Sequence, residues 1–92
     1  MTKDDIIAKT NDVFEQDFEM ARERLVPTAH IFNDLGLDSL DTVDLVVALQ
    51  KKFGVRIRDE EQVKNIRTLE DVYDFILRVK NQQEAGGDRQ GP

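Results

Sequence analysis

The serine at position 39 stands among residues that could take part in acid, base or ester chemistry. Asp38 precedes it directly, Asp34 and Asp41 lie nearby, and His30 is the only histidine of the chain. A serine and a histidine can form a nucleophile with its base, but a serine hydrolase also needs a G-x-S-x-G turn or an oxyanion loop, and neither occurs here. We therefore interpret His30 as a surface or loop-packing residue. The residues around Ser39 therefore predict no catalytic residue.

Four aspartates surround this serine: Asp34, Asp38, Asp41 and Asp44. Their spacing lacks the alternating D-x-D-x-D-G pattern of a calcium loop, so we predict no metal site. The chain contains no cysteine, which excludes disulfides, thiolate metal sites and cysteine nucleophiles. The aspartates form either a solvated helix face or the charged part of a binding surface.

Ser39 is predicted to begin a helix. Gly36 can adopt a positive φ just before it, and Asp38 followed by Asp41 resembles an N-cap with an acidic first turn. The helix should run to about Phe53 and end at Gly54, because glycine commonly terminates helices.

This helix carries two apolar stripes, about 135° apart at 100° per residue. One consists of Leu45, Val46, Leu49 and Phe53, and the other of Leu40, Val43 and Val47. A single core contact rarely needs both stripes. We predict that the Leu45 stripe is core, whereas the Leu40 stripe, flanked by Asp41 and Asp44, is at least partly exposed for docking of other proteins.

The remaining elements are also helical by pattern, so the sequence predicts an all-α fold: a small four-helix bundle of three longer helices and one short one, with a long first loop. The first helix should span Asp4 to about Met20 with Thr2 as its cap, and the short helix should begin at Asp59 and contain Val63. Thr68 and Asp71 predict the cap of a last helix that ends near Val79. The loop at 22–33 should turn Leu25 and either Ile31 or Phe32 inward, and 55–58 should be a second loop.

The composition fits one domain of a soluble globular protein. Of 92 residues, 39% are hydrophobic and 35% charged, without the apolar run that a membrane span needs. We assign residues 1–80 to the domain and expect 81–92, which are polar and contain glycine, to be a disordered tail. The N-terminus has no apolar signal core, so we expect a cytoplasmic protein with no membrane insertion, and we expect a monomer.

The net charge of −6 argues against a nucleic-acid partner. The charge is also unevenly distributed, because residues 25–50 contain four acids and no Lys or Arg, whereas residues 51–67 hold six basic residues against three acids. An acidic half-surface therefore adjoins a basic one.

The segment from Asn33 to Phe53, NDLGLDSLDTVDLVVALQKKF, closely resembles the acyl carrier protein family. The motif Asp38-Ser39-Leu40, preceded by Asp34-Leu35-Gly36, carries the resemblance, which extends over about residues 6–79. It implies a phosphopantetheine arm attached to Ser39 from coenzyme A by a phosphopantetheinyl transferase, and acyl-transfer and fatty-acid or polyketide synthesis enzymes as partners. The acyl chain would be held as a thioester, sheltered around Leu45, Leu49, Phe53, Ile66 and Tyr73. The resemblance also implies a carrier that is not itself an enzyme.

The position of Ser39 supports this resemblance on physical grounds. A phosphodiester there would lie at the first turn of a helix, where free N–H groups and the positive end of the helix dipole stabilise an anion. The arm would also supply the thiol that this cysteine-free chain lacks. With the resemblance, the docking surface for partner enzymes is predicted to comprise Asp38, Leu40, Asp41, Val43, Asp44 and Val47.

One region departs from the family pattern. Lys51, Lys52, Arg56 and Arg58 stand where acyl carrier proteins are commonly acidic, which favours a specialised carrier with a dedicated set of partners.

Two other functions fit the sequence. One is a peptidyl or aminoacyl carrier of the same fold, although Asp38 favours acyl cargo because such carriers more often have histidine before the serine. The other is a helical protein-binding module that is never modified. A small hydrolase that uses Ser39 ranks below both.

Overall fold

The protein is all-helical in a computed structural model that describes residues 2–57 and 63–90, and of residues 84–90 the backbone only. The elements in chain order are α1 (Lys3–Asp17), a 3-10 turn (Arg22–Arg24), α2 (Ser39–Phe53) and α3 (Leu69–Gln90). An isolated bridge pairs His30 with Thr68, and within the described ranges no strand forms. The predicted all-α class is confirmed.

Each of the three α-helices begins with the cap that the sequence predicts. Thr2 and Asp5 form a capping box on α1, and the Thr68 hydroxyl accepts from the Asp71 N–H at 3.2 Å at the start of α3. Such side chains satisfy N–H groups that the first helical turn leaves without partners. Helix α1 ends at Asp17, before the predicted Met20.

The core lies between the three helices and receives side chains from the loops. Helix α1 contributes Ile6, Val13 and Phe14, all buried, and α1 contacts both α2 and α3. The long first loop contributes more than the sequence predicts: Leu25 and Ile31 are buried as expected, but so are Ala29, Leu35 and Leu37. Phe32 is 38% exposed, which settles the choice between Ile31 and Phe32.

Helix α3 presents a wide apolar face to this core. Its members Leu69, Val72, Tyr73, Phe75 and Ile76 are all buried. The Tyr73 hydroxyl donates to Asn11 Oδ1 at 2.6 Å, and burial raises the pKa of Tyr73 against the opposite effect of this bond. Tyr73 therefore belongs to the contact between α1 and α3.

Helix α3 continues past the end that the sequence predicts at Val79. Its backbone is helical to Gln90, and the disordered tail at 81–92 stays a prediction. The Gln83 amide accepts from the Arg56 N–H at 3.1 Å and donates to the Arg56 carbonyl at 2.6 Å. This contact between distant segments ties the helix to the loop after α2. The boundary of the domain at residue 80 stays a prediction.

The predicted short helix falls largely on residues 58–62, which lie outside the described residues, and so does Arg58. Residues 55–57 form the predicted loop, in which Val55 is buried.

Candidate functional site

Ser39 is the first residue of α2, and its side chain is exposed. The preceding residue, Asp38, is the N-cap: its carboxylate accepts from the Asp41 N–H at 2.9 Å, and the Asp41 carboxylate accepts from the Asp38 N–H at 3.1 Å. The Thr42 hydroxyl donates to the Asp38 carbonyl at 3.0 Å. These three bonds fix the backbone on both sides of Ser39, so its hydroxyl is presented from a defined turn.

The turn before α2 is built by the leading Asp-Leu-Gly segment. Gly36 has a φ of 76°, a left-handed conformation that glycine adopts without steric cost. The Asp34 carboxylate accepts from the His30 N–H at 2.7 Å, and the Arg24 guanidinium donates to the Asp34 carbonyl. Asp34 therefore folds the loop that delivers the chain to Ser39, and its carboxylate is occupied in doing so.

His30 has the structural role that the sequence predicts. Its Nδ1 accepts from the N–H groups of Asn33 at 3.1 Å and Phe32 at 3.3 Å, so this ring nitrogen is engaged within the loop. Among the residues that the structure describes, no group of three or more His, Cys, Asp or Glu could hold a metal ion.

The loop is also bonded to the start of α3. The Ile31 N–H donates to the Arg67 carbonyl at 2.8 Å, and the Leu69 N–H donates to the Ala29 carbonyl at 3.0 Å. These backbone bonds hold the loop before Ser39 against the start of α3.

An open groove of about 480 Å³ begins at Ser39. Its walls are mainly apolar, with the hydroxyls of Ser39 and Thr42 and the cationic Lys64 as polar exceptions. The full lining is Phe32, Ser39, Thr42, Val43, Val46, Val47, Ile57, Val63 and Lys64. A groove of this size and polarity is typical of sites for small apolar ligands.

The outward stripe of α2 is exposed as the sequence predicts. Leu40 is 77% exposed, Val43 61% and Val47 43%, whereas Leu45, Leu49 and Phe53 are buried at 3% or less. The prediction that Val46 belongs to the core is wrong, because Val46 is half-buried and lines the groove. Asp44 is exposed beside this stripe and Asp41 is half-buried. An apolar centre with acidic neighbours therefore faces solvent.

Three of the residues predicted to shelter an acyl chain lie together in the structure. Leu45, Leu49 and Ile66 line an interior gap between α2 and α3 with free space of only about 10 Å³, which is about one water molecule. Phe53 and Tyr73 line neither this gap nor the groove. Among the described residues, the outer groove combines apolar walls with a volume of about 480 Å³.

Phe32, Ile57 and Val63 line the groove, although the sequence analysis assigns none of them to a functional site. Phe32 is an exposed aromatic residue close to the serine motif, and Ile57 alternates with two arginines, so each was a signal of a partly apolar surface. Nothing in the local sequence joins these segments, because they meet only through the packing of the loops on α2.

Comparison with known proteins identifies the family of this site. The family model for the phosphopantetheine attachment site matches residues 11–76, a range that contains Ser39. The chain belongs to the acyl carrier protein family. It is 42% identical to acyl carrier protein 2 of Ralstonia nicotianae over 78% of this chain and 88% of the relative. The acyl carrier protein of Thermosynechococcus vestitus is 41% identical over 83% of this chain and 93% of its own.

Membership of the acyl carrier proteins defines the chemistry. The protein carries acyl groups on a covalently attached 4'-phosphopantetheine arm and is a carrier, not a catalyst. The family interacts with phosphopantetheinyl transferase and with synthesis enzymes. The local structure fits such an arm, because an exposed hydroxyl at a helix N-terminus opens onto an apolar groove. None of the described helices has the length and hydropathy of a membrane span.

Proposed function

We propose that Ser39 bears the phosphopantetheine arm of this acyl carrier protein, and that the groove beside it shelters the acyl chain during fatty-acid biosynthesis or the synthesis of a specialised lipid or polyketide. The observation that carries the proposal is the position of an exposed serine at the rim of a mainly apolar groove. The carrier works as a monomer in the cytoplasm, and its domain spans residues 1–80.

The residues around Ser39 position its hydroxyl and supply no base. The Asp38–Asp41 capping box fixes the turn, and both carboxylates accept backbone N–H groups there. The transferase therefore removes the proton of the Ser39 hydroxyl as the serine oxygen bonds to the phosphorus of coenzyme A. The P–O bond to adenosine 3',5'-bisphosphate breaks, and this nucleotide leaves. Once attached, the arm supplies the thiol that carries the acyl group.

The groove excludes water from part of a bound acyl chain. Val43, Val46 and Val47 form one wall along α2, and Ile57 and Val63 contribute from the loops. Burial of apolar carbon against these side chains stabilises the loaded carrier by about 25 cal/mol per Å². The groove is open, so the chain leaves it when a partner enzyme binds the acyl group more tightly.

The outward face of α2 is the docking surface for these enzymes. Leu40, at its centre, is 77% exposed, and an aliphatic side chain of this kind gains from entering a pocket on a partner. Asp44 flanks it without a hydrogen bond or ion pair to any of the described residues. The complete surface is Asp38, Leu40, Asp41, Val43, Asp44 and Val47.

Val43 and Val47 belong to both surfaces, because they are exposed on α2 and also line the groove. A partner that covers these two residues therefore touches the place where the acyl chain rests. Docking and release of the acyl chain are coupled through this pair.

The experiment measures intact mass after incubation with coenzyme A and a broad-specificity phosphopantetheinyl transferase. Ser39 is the only serine of the chain, so Thr42, the neighbouring hydroxyl that also lines the groove, is the matched control. Wild type and Thr42→Ala should each gain one phosphopantetheine increment, and Ser39→Ala should gain none. An unmodified wild type would favour the helical protein-binding module, and a modified Ser39→Ala would move the attachment elsewhere.

A further inference from the structure

Two lysines lie on the outward face of α2, at the end opposite Ser39. Lys51 follows Leu40 by 11 residues, and Lys52 follows Asp41 by the same number. In a helix, 11 residues make about three turns and about 16 Å. Lys51 thus points in nearly the same direction as Leu40, and Lys52 in nearly the same direction as Asp41. Both lysines are exposed.

The loop after α2 adds to this basic end. Arg56 is exposed, and its backbone is held on both sides by the Gln83 amide. Lys80 reaches the same end from α3, where its Nζ donates to the Phe53 carbonyl at 3.0 Å. In the ranges that the structure describes, ion pairs involve Lys3 and Arg22, and none involves Lys51, Lys52 or Arg56.

One face of α2 therefore presents Leu40 with Asp41 and Asp44 near Ser39, and a basic group about three turns away. We infer that the enzymes using this carrier have a two-part docking site: a basic group facing Asp44, and an acidic group about 16 Å from the pocket that receives Leu40. This inference rests on the proposed docking role of α2 and adds the sign and spacing of the partner's charges.

The occupant of this face is a folded protein with both charges. A uniformly anionic surface, such as a nucleic acid or an acidic membrane, would attract Lys51 but repel Asp44 on the same helix. An enzyme with a uniformly basic surface would attract Asp44 and meet Lys51 with a like charge, which slows association and penalises binding. The basic end thus selects among acyl-transferring enzymes.

The test compares two single charge reversals, Lys51→Glu and Arg78→Glu. Arg78 is an exposed cation on α3, one turn after Asp74, which pairs with Lys3 of α1, so it lies on the α1 side of the molecule. Both variants change the net charge equally. They are first converted to the phosphopantetheine form with excess transferase, verified by mass, and then acylated. The probe is the acyl-transferring enzyme of the source organism that has the highest kcat/KM with the wild-type carrier.

Lys51→Glu should lower kcat/KM about tenfold through KM, with kcat unchanged, and the loss should shrink at high salt because exposed charges are screened. The kcat/KM of Arg78→Glu should stay within about twofold of the wild-type value. The inference is overturned if the kcat/KM of Lys51→Glu with this enzyme equals or exceeds that of the wild type. It is also overturned if Arg78→Glu lowers kcat/KM as much as Lys51→Glu does. Absence of the phosphopantetheine increment would instead refute the proposed function, so the two failures are distinguishable.

Discussion

The two sides of α2 have similar side chains and opposite environments. Leu45 and Leu49 are buried at 3% and 2%, whereas Leu40 on the outward side is 77% exposed. Both sides lie on one helix of 15 residues between the same caps, so helix propensity does not explain the difference. What differs is that α1 and α3 cover only the inward side. The comparison teaches that the inward leucines stabilise the fold and leave the outward leucine available for partners.

Leu49→Ala should produce the largest effect on stability. Leu49 lines the small gap between α2 and α3 together with Val72 and Phe75, and this tightly packed region has little room to collapse around a lost side chain. The free energy of unfolding should fall by about 2–5 kcal/mol, measured by denaturant titration. Leu40→Ala is the matched control and should change it by less than about 0.5 kcal/mol. Similar losses in both variants would break the distinction between the two sides.

The reverse experiment measures partner turnover. Leu40→Ala should lower kcat/KM with the acyl-transferring enzyme about tenfold, because the side chain that enters the partner's pocket is truncated. Its folded stability should stay near that of the wild type, so the loss cannot come from unfolding. An unchanged kcat/KM would mean that Leu40 does not belong to the docking surface.

Sequence alone predicted those features of α2 that depend on neighbouring residues. Gly36, Asp38 and Gly54 mark the start and end of the helix by conformations and caps that each can adopt locally, and the structure has all three as predicted. The 3.6-residue period likewise separated the inward stripe from the outward one, since burial on a helix follows direction.

Features that depend on contacts between distant segments could not be predicted. The groove beside Ser39 has walls from Phe32, Val43 and Ile57, and no local pattern brings these three together. The same holds for the extension of α3, where Gln83 finds its partner 27 residues away at Arg56. A glutamine in a polar segment carries no sign of such a contact.

A smaller effect on stability is expected at low pH, which weakens the start of α3. Helix α3 is one of the elements that cover the inward side of α2. Although burial raises the pKa of Asp71, the N–H groups of Arg67 and Thr68 outweigh it, so the net pKa is lowered. A carboxyl with a lowered folded pKa stabilises the fold above its unfolded pKa, near 4. That contribution is lost as the pH falls through the folded pKa.

Asp71→Asn should therefore reduce the free energy of unfolding by about 1 kcal/mol at pH 6, and the difference from the wild type should vanish as the pH approaches 2. Asp44→Asn, on the outward side, is the control and should stay within about 0.5 kcal/mol of the wild type at pH 6. Chemical denaturation from pH 2 to 6 measures the free energy of unfolding of both variants.

A constant difference between Asp71→Asn and the wild type across this range would mean that the side chain stabilises the first turn of α3 by its shape and not by its negative charge. An effect of Asp44→Asn as large as that of Asp71→Asn would mean that the outward carboxylate also stabilises the fold, against the division between the two sides of α2.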